Sequence, residues 1–174
     1  MAIIPTLAGF IAGERPTATK LTLHTKTAFE ASVYYKPFCR ITNTSTQSFS
    51  STSSQSSTLC VMNSILQDND SMADLVNGRI VIQTAGFYQL SAQAAWASNA
   101  TGYRMAQIQV NGGIVAAVNV QAANGISTRL HPLGYERLNA GDAVTLAMAQ
   151  NSGAVIISDG GYRGCWLAAE WTGL

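Results

Sequence analysis

Three carboxylates stand within seven residues at Asp68-Asn69-Asp70-Ser71-Met72-Ala73-Asp74, the one cluster among the chain's nine acids. Carboxylate and amide oxygens at this spacing are the hard donors that Ca²⁺ takes. The stretch lacks the glycine and the distal glutamate of an EF-hand loop. Asp68, Asp70 and Asp74 are therefore a calcium candidate set against a preferred, plainer reading: a solvated or subunit-contacting loop. No cofactor is expected. The two histidines stand apart, His24 near the N-terminus and His131 before Pro132, and each reads as a surface or turn residue. Neither forms His-x-x-x-His, no cysteine pair has zinc spacing, and no Gly-x-Ser-x-Gly or phosphate-cradling glycine loop occurs. Catalysis needs polar groups that converge, and the chain reads as a non-enzymatic protein. Trp96, Tyr103, Tyr135, Tyr162, Trp166 and Trp171 could stack on sugars. Most fall in strand-like segments, where aromatics serve core or interface, and none is singled out as a binding platform.

The elements that must position these residues belong to a single domain, since 174 residues give one full-sized core. Hydrophobic residues make up 47% and charged residues 11%, against about 25% charged in an average soluble domain. A small monomer keeps charge on its surface for solubility. A chain of net charge +1 with so little charge is expected to hide surface against other chains, as an obligate oligomer or a piece of a particle. Its ten Lys and Arg are scattered from Arg15 to Arg163 without a basic stripe, so nucleic acid is not the expected partner. No stretch reaches the roughly 18 apolar residues of a membrane span, and no membrane partner is expected. The apolar segment Ala2–Ala12 lacks a basic flank and carries Pro5 and Gly9, unlike a signal peptide. Cys39, Cys60 and Cys165 are odd in number and widely spaced. They read as reduced, buried residues of a protein made in a cytoplasm, with a Cys39–Cys60 bridge left open by spacing alone.

Residues 1–37 form an arm, punctuated by Pro5, Gly9, Gly13 and Pro16 and closed by Pro37, with a short helix expected from about Thr19 to Tyr34. Residues 38–174 are a head of strands and turns. The Ser/Thr/Gln-rich run Thr42–Thr58 is either a linker or, as preferred, two edge strands. Tyr88, Leu90, Ala92, Ala94 and Trp96 alternate onto one face, as do Ala106, Ile108 and Val110. Asn111-Gly112-Gly113 supplies a hairpin turn, after which Ile114, Ala116, Val118 and Val120 continue the pattern. Turn signals recur at Asn124-Gly125, Asn139–Asp142, Asn151–Gly153 and Ser158–Gly161. Regularly spaced short strands mean a sandwich or barrel.

The opposite face of these strands is small or amide-bearing rather than charged: Ala95, Gln107, Ala117, Asn119, Ala147 and Ala149. Neutral small side chains suit a face packed on copies of itself, and these six are the candidate interface.

Gly86-Phe87-Tyr88-Gln89-Leu90-Ser91-Ala92 resembles the Gly-x-Tyr strand of the C1q/TNF-like jelly-roll superfamily. The order of pieces is similar to C1q-like virion proteins of tailed phages that infect actinobacteria. The matching pieces are Gly13-Glu14-Arg15-Pro16-Thr17-Ala18, Cys39-Arg40-Ile41, Gln47–Thr58 and Asp68–Met72. Further on come Ser98–Arg104, Val110-Asn111-Gly112, Leu138-Asn139-Ala140-Gly141-Asp142 and Ala149–Gly153. The resemblance covers most of residues 13–174 through short motifs in shared order. It implies an all-β C1q/TNF-like jelly-roll sandwich, a homotrimer, and a structural place on the virion, after synthesis in the host cytoplasm. Residues 1–37 would dock on other virion proteins, in the tail or baseplate by preference, or on the major capsid protein as a decoration. A receptor- or glycan-binding adhesion module, with a host-surface glycan as partner, is the alternative. No Gly-x-y stalk is present, so a collagen-like role is not implied.

Overall fold

The computed structural model describes residues 36–52, 56–122, 126–159 and 164–174. The expected arm helix, the Gly13–Ala18 motif, His24, Tyr162 and the Asn124-Gly125 turn lie outside them, as do two of the four residues of the Ser158–Gly161 turn.

The first strands are β1 (Phe38–Thr42), β2 (Ser48–Phe49), β3 (Thr58–Leu59), β4 (Ser64–Asp68), β5 (Ala73–Asp74), β6 (Arg79–Val81) and β7 (Gly86–Trp96). They are followed by β8 (Tyr103–Val110), β9 (Gly113–Gln121), β10 (Thr128–Leu130), β11 (Leu133–Leu138), β12 (Ala143–Gln150), β13 (Ile156–Ile157) and β14 (Trp166–Gly173). One sheet runs β10-β7-β14-β1-β4, with β11 continuing the β10 edge along β7; the other runs β5-β6-β12-β8-β9, with β3 beside β12. β2 and β13 make a two-stranded cap. Neighbours pair antiparallel. Among the described residues of the Thr42–Thr58 run, Thr42 ends β1, Ser48–Phe49 form β2 and Thr58 opens β3, and the rest is irregular chain.

The alternation in β7 is the spine of the core. Tyr88, Leu90, Ala92, Ala94 and Trp96 are all buried. They meet Ala106 and Ile108 of β8, Val144, Leu146 and Met148 of β12, and Leu167 and Ala169 of β14 in one hydrophobic cluster. Phe49 of the cap meets Trp96 edge to face, with ring centroids 5.0 Å apart, the geometry that the ring quadrupoles favour.

The β8–β9 hairpin turns at Asn111 (φ 50°) and Gly112 (φ 83°). Both angles are positive, as a primed two-residue turn requires. Asn111 then ties this turn to a distant one: its Nδ2 donates to Asp142 Oδ1 at 2.8 Å, and its Oδ1 accepts from Ala143 N at 2.9 Å. Asp142 Oδ2 accepts from Asn139 N at 2.7 Å. A register shift pairs Ile108 with Ala116 but Gln109 with Ile114. This bulge turns Ile114 outward, and Val120 is also exposed. Of the apolar residues expected to line the return strand, Ala116 and Val118 are the ones packed on the core.

The three cysteines are buried free thiols, and no Cys39–Cys60 bridge forms. Burial, reinforced by the nearby Asp68 charge, pushes the Cys39 thiol up to about 12. The Cys60 thiol donates to the Cys165 sulfur, which raises the first and lowers the second. At pH 8 the Cys39 thiolate is then roughly one part in ten thousand. Iodoacetamide should leave Cys39 unmodified in the folded protein and alkylate it fully in denaturant, as mass spectrometry of the peptide will read.

Gly86 explains the first residue of the Gly-x-Tyr motif. A Cβ there would run into the Trp171 indole and the Gly173 carbonyl, and φ is +153°. Trp171 Nε1 donates to Ala85 O at 3.3 Å. Tyr88 carries its hydroxyl through the core to donate to Thr84 O at 2.6 Å. Gly86→Ala should cost about 2–4 kcal/mol and Tyr88→Phe about 1–2 kcal/mol, measured by urea unfolding.

Candidate functional site

The Asp68–Asp74 loop is built by its own carboxylates. Asp68 Oδ1 accepts from Met72 N at 3.0 Å and Asp70 N at 3.3 Å, and its Oδ2 accepts from Ala73 N at 2.9 Å. Asp70 is fully buried, and its charge adds to burial in raising the Tyr88 phenol. Asp74 accepts from Asn77 Nδ2 and Arg79 Nε, each at 2.8 Å. Those two bonds hold its carboxyl below the usual range. No group of three metal-ligating side chains converges among the described residues. The calcium candidate is thus not assembled among the described residues: backbone amides take the Asp68 carboxylate, and Asn77 and Arg79 take that of Asp74. His131 stands exposed between β10 and β11.

The six residues of the expected self-packing face do not share one surface. Ala95 lies on β7 of the first sheet and is buried; it belongs to the core cluster. The other five lie on the second sheet, where Gln107 pairs with Ala147 and Ala117, and Met105 with Ala149 and Asn119. There Gln107, Ala147 and Ala149 are buried within the subunit, while Ala117 and Asn119 are exposed. Leu59 of β3 pairs with Ala147, and Ser57 Oγ lies 3.3 Å from Gln109 Nε2. The expectation of an open face is corrected at Ala95, Gln107, Ala147 and Ala149, whose second sides are occupied by the fold itself.

A face that sequence reasoning missed lies on the outside of the first sheet. Register aligns Phe38, Glu170, Gln89 and Tyr135 in one row, and Gln67, Arg40, Ala168, Ser91 and Leu133 in the next. A third row holds Thr42, Trp166 and Gln93. Tyr135 is 62% exposed, Leu133 55% and Phe87 46%. The Tyr135 hydroxyl donates to Gln89 Oε1 at 2.8 Å, which fixes the ring against the sheet. Arg40 sits over Trp166, its guanidinium carbon 4.3 Å from the ring centroid. Its Nε is buried without an acceptor among the described residues. The face therefore presents aromatic, leucine and amide groups, with Arg40, Glu170 and Arg137 as its charges. The available signal was the run of Gln89, Ser91 and Gln93 opposite the core residues of β7. Trp171 packs against the core, Tyr103 lies on β8 of the second sheet and Trp96 is core, so Tyr135 and Trp166 are, among the described residues, the expected aromatics that reach this surface.

No family model matches the chain, and no curated protein matches it in sequence. Solved structures do match in fold. The crystal structure of murine APRIL at pH 5.0 superposes with a TM-score of 0.61 at 12% identity, covering 79% of this chain and 99% of that one. The globular domain of zebrafish complement 1qA protein superposes with a TM-score of 0.54 at 12% identity, covering 76% of this chain and 95% of that one.

The contrast between buried and exposed alanines on the second sheet is testable. Ala147→Glu would place a charge where no water reaches and should cost about 3 kcal/mol or more, while Ala117→Glu should stay within about 0.5 kcal/mol. Thermal unfolding of the two variants will measure both. The two-sheet arrangement and these superpositions give the chain an all-β, C1q/TNF-like jelly-roll fold.

Proposed function

We propose that this chain is a non-enzymatic structural module that assembles as a homotrimer, with residues 1–37 docking it on a tailed-phage particle as a minor tail or baseplate component. The observation that carries the self-association is the outer face of the first sheet. Leu133, Tyr135, Phe87 and Trp166 share that exterior in a chain whose charged residues are only 11% of the total. Apolar patches of this kind mark contact surfaces, and obligate interfaces of order 2,000 Å² or more cover them. Closed three-fold symmetry satisfies every copy and leaves no open end. The C1q/TNF-like fold supports the trimer, and the ordered motifs noted above support the virion. A capsid decoration protein is the neighbouring assignment. A glycan-binding adhesion module is a second reading, favoured by a groove on the second sheet described below.

Solution mass by light scattering is expected to give a trimer for the wild-type protein at micromolar concentration. Leu133→Glu, on the proposed interface, should shift the mass to monomer or aggregate, while Ala117→Glu should leave it unchanged. Removing residues 1–35 should leave a folded trimer that no longer binds purified particles. A wild-type monomer would overturn the self-association, and truncated protein bound at normal occupancy would overturn the docking role of the arm.

A further inference from the structure

The second sheet carries an open groove of about 390 Å³ beside the Asn111 turn, lined by Leu59, Asn77, Arg79, Gln109, Asn111, Gly112, Ala143 and Thr145. Its volume falls within the range of about 300–1,000 Å³ typical of small-ligand sites. Its walls are held firmly. Asp74 fixes Arg79 through Nε and Asn77 through its amide nitrogen, and Asp142 fixes Asn111. Gln109 Nε2 is taken by Gln107 Oε1 at 3.2 Å and Ser57 Oγ at 3.3 Å.

What these bonds leave open defines the ligand. Both terminal nitrogens of Arg79 remain as donors, Gln109 Oε1 and Asn77 Oδ1 remain as acceptors, and the Thr145 hydroxyl has no partner among the described residues. Half-exposed Leu59 adds an apolar wall. Arg79 is charge-compensated by Asp74 at 2.8 Å, so the groove carries little net field for an anion, and its two free amide oxygens would face one unfavourably. The guanidinium excludes a metal cation. Donors, acceptors and a hydroxyl around an apolar wall match a molecule with hydroxyls on its edges and C–H groups on its face.

We propose that this groove binds a short neutral saccharide through Arg79, Gln109 and Thr145, with Leu59 as its apolar wall. The proposal deepens the glycan-binding reading and does not rest on self-association.

The test is titration of the ¹⁵N-labelled full chain with maltose, lactose, cellobiose and N,N′-diacetylchitobiose to about 50 mM, which saturates a site of millimolar affinity. At least one sugar should shift the amides of Leu59, Arg79, Gln109 and Thr145. Thr145→Val and Arg79→Gln should each weaken that binding by about fivefold, the loss of one or two hydrogen bonds. Thr145→Ser, which keeps the hydroxyl, should restore it. Leu133→Glu should bind as wild type does, which separates this outcome from the fate of the trimer. The proposal is overturned if no sugar shifts these amides, or if the shifts fall instead around Trp166 and Tyr135. It also fails if both variants bind unchanged, or if glucuronate or inorganic phosphate binds more tightly than every neutral sugar.

Discussion

The rest of the molecule depends on one strand meeting two demands at once. β7 is paired along both of its edges, with β14 on one side and β10 and β11 on the other. Its inward residues, from Tyr88 to Trp96, fill the space between the sheets. Because side chains alternate strictly along a strand, fixing the inward set fixes the outward one. Gln89, Ser91 and Gln93 therefore fall on the exterior that Leu133 and Tyr135 share. Core and outer face are consequences of one register, and a slip of one residue would exchange them.

The residues that hold this register were legible in the chain. Tyr88 to Trp96 and Ala106 to Ile108 alternate cleanly, and Asn111-Gly112 could hardly be anything but a primed turn. Exposure was harder to read. An alanine opposite a core residue looks the same in sequence whether water or another segment lies over it, and Ala147 and Ala117 fell on different sides of that question. The same holds for Ile114, turned outward by a bulge that no residue type announces. At Asp68 and Asp74 the chain showed the acids but not their occupants: backbone amides, Asn77 and Arg79 had already claimed the oxygens that an ion would need. Composition signals which groups are present, while hydrogen-bond saturation is a property of the fold.

The two faces of the sandwich differ in kind. On the first sheet the exterior is broad and aromatic, and Arg40 is stacked there on Trp166. On the second sheet the exterior is small and amide-rich, and its cation is fixed by a neighbouring acid at the rim of a concave groove. A flat apolar face buries area against another flat face, whereas a concave polar one surrounds something smaller. The two exteriors are thus suited by shape to contacts of different scale.

The break between β10 and β11 has a further consequence. Pro132 interrupts that edge while its carbonyl still accepts from Ala92 N at 3.1 Å. In an extended strand a residue's N–H and C=O point to the same edge, so the donor that Pro132 lacks is missing from the β7 ladder, and here the long edge divides into β10 and β11. A chain with so little charge has little electrostatic repulsion to keep its copies apart, so open-ended strand addition is the hazard it must meet by other means. The exposed Arg129 and Arg137 on either side of the break place local charge on this edge, which disfavours association through edges relative to association through faces.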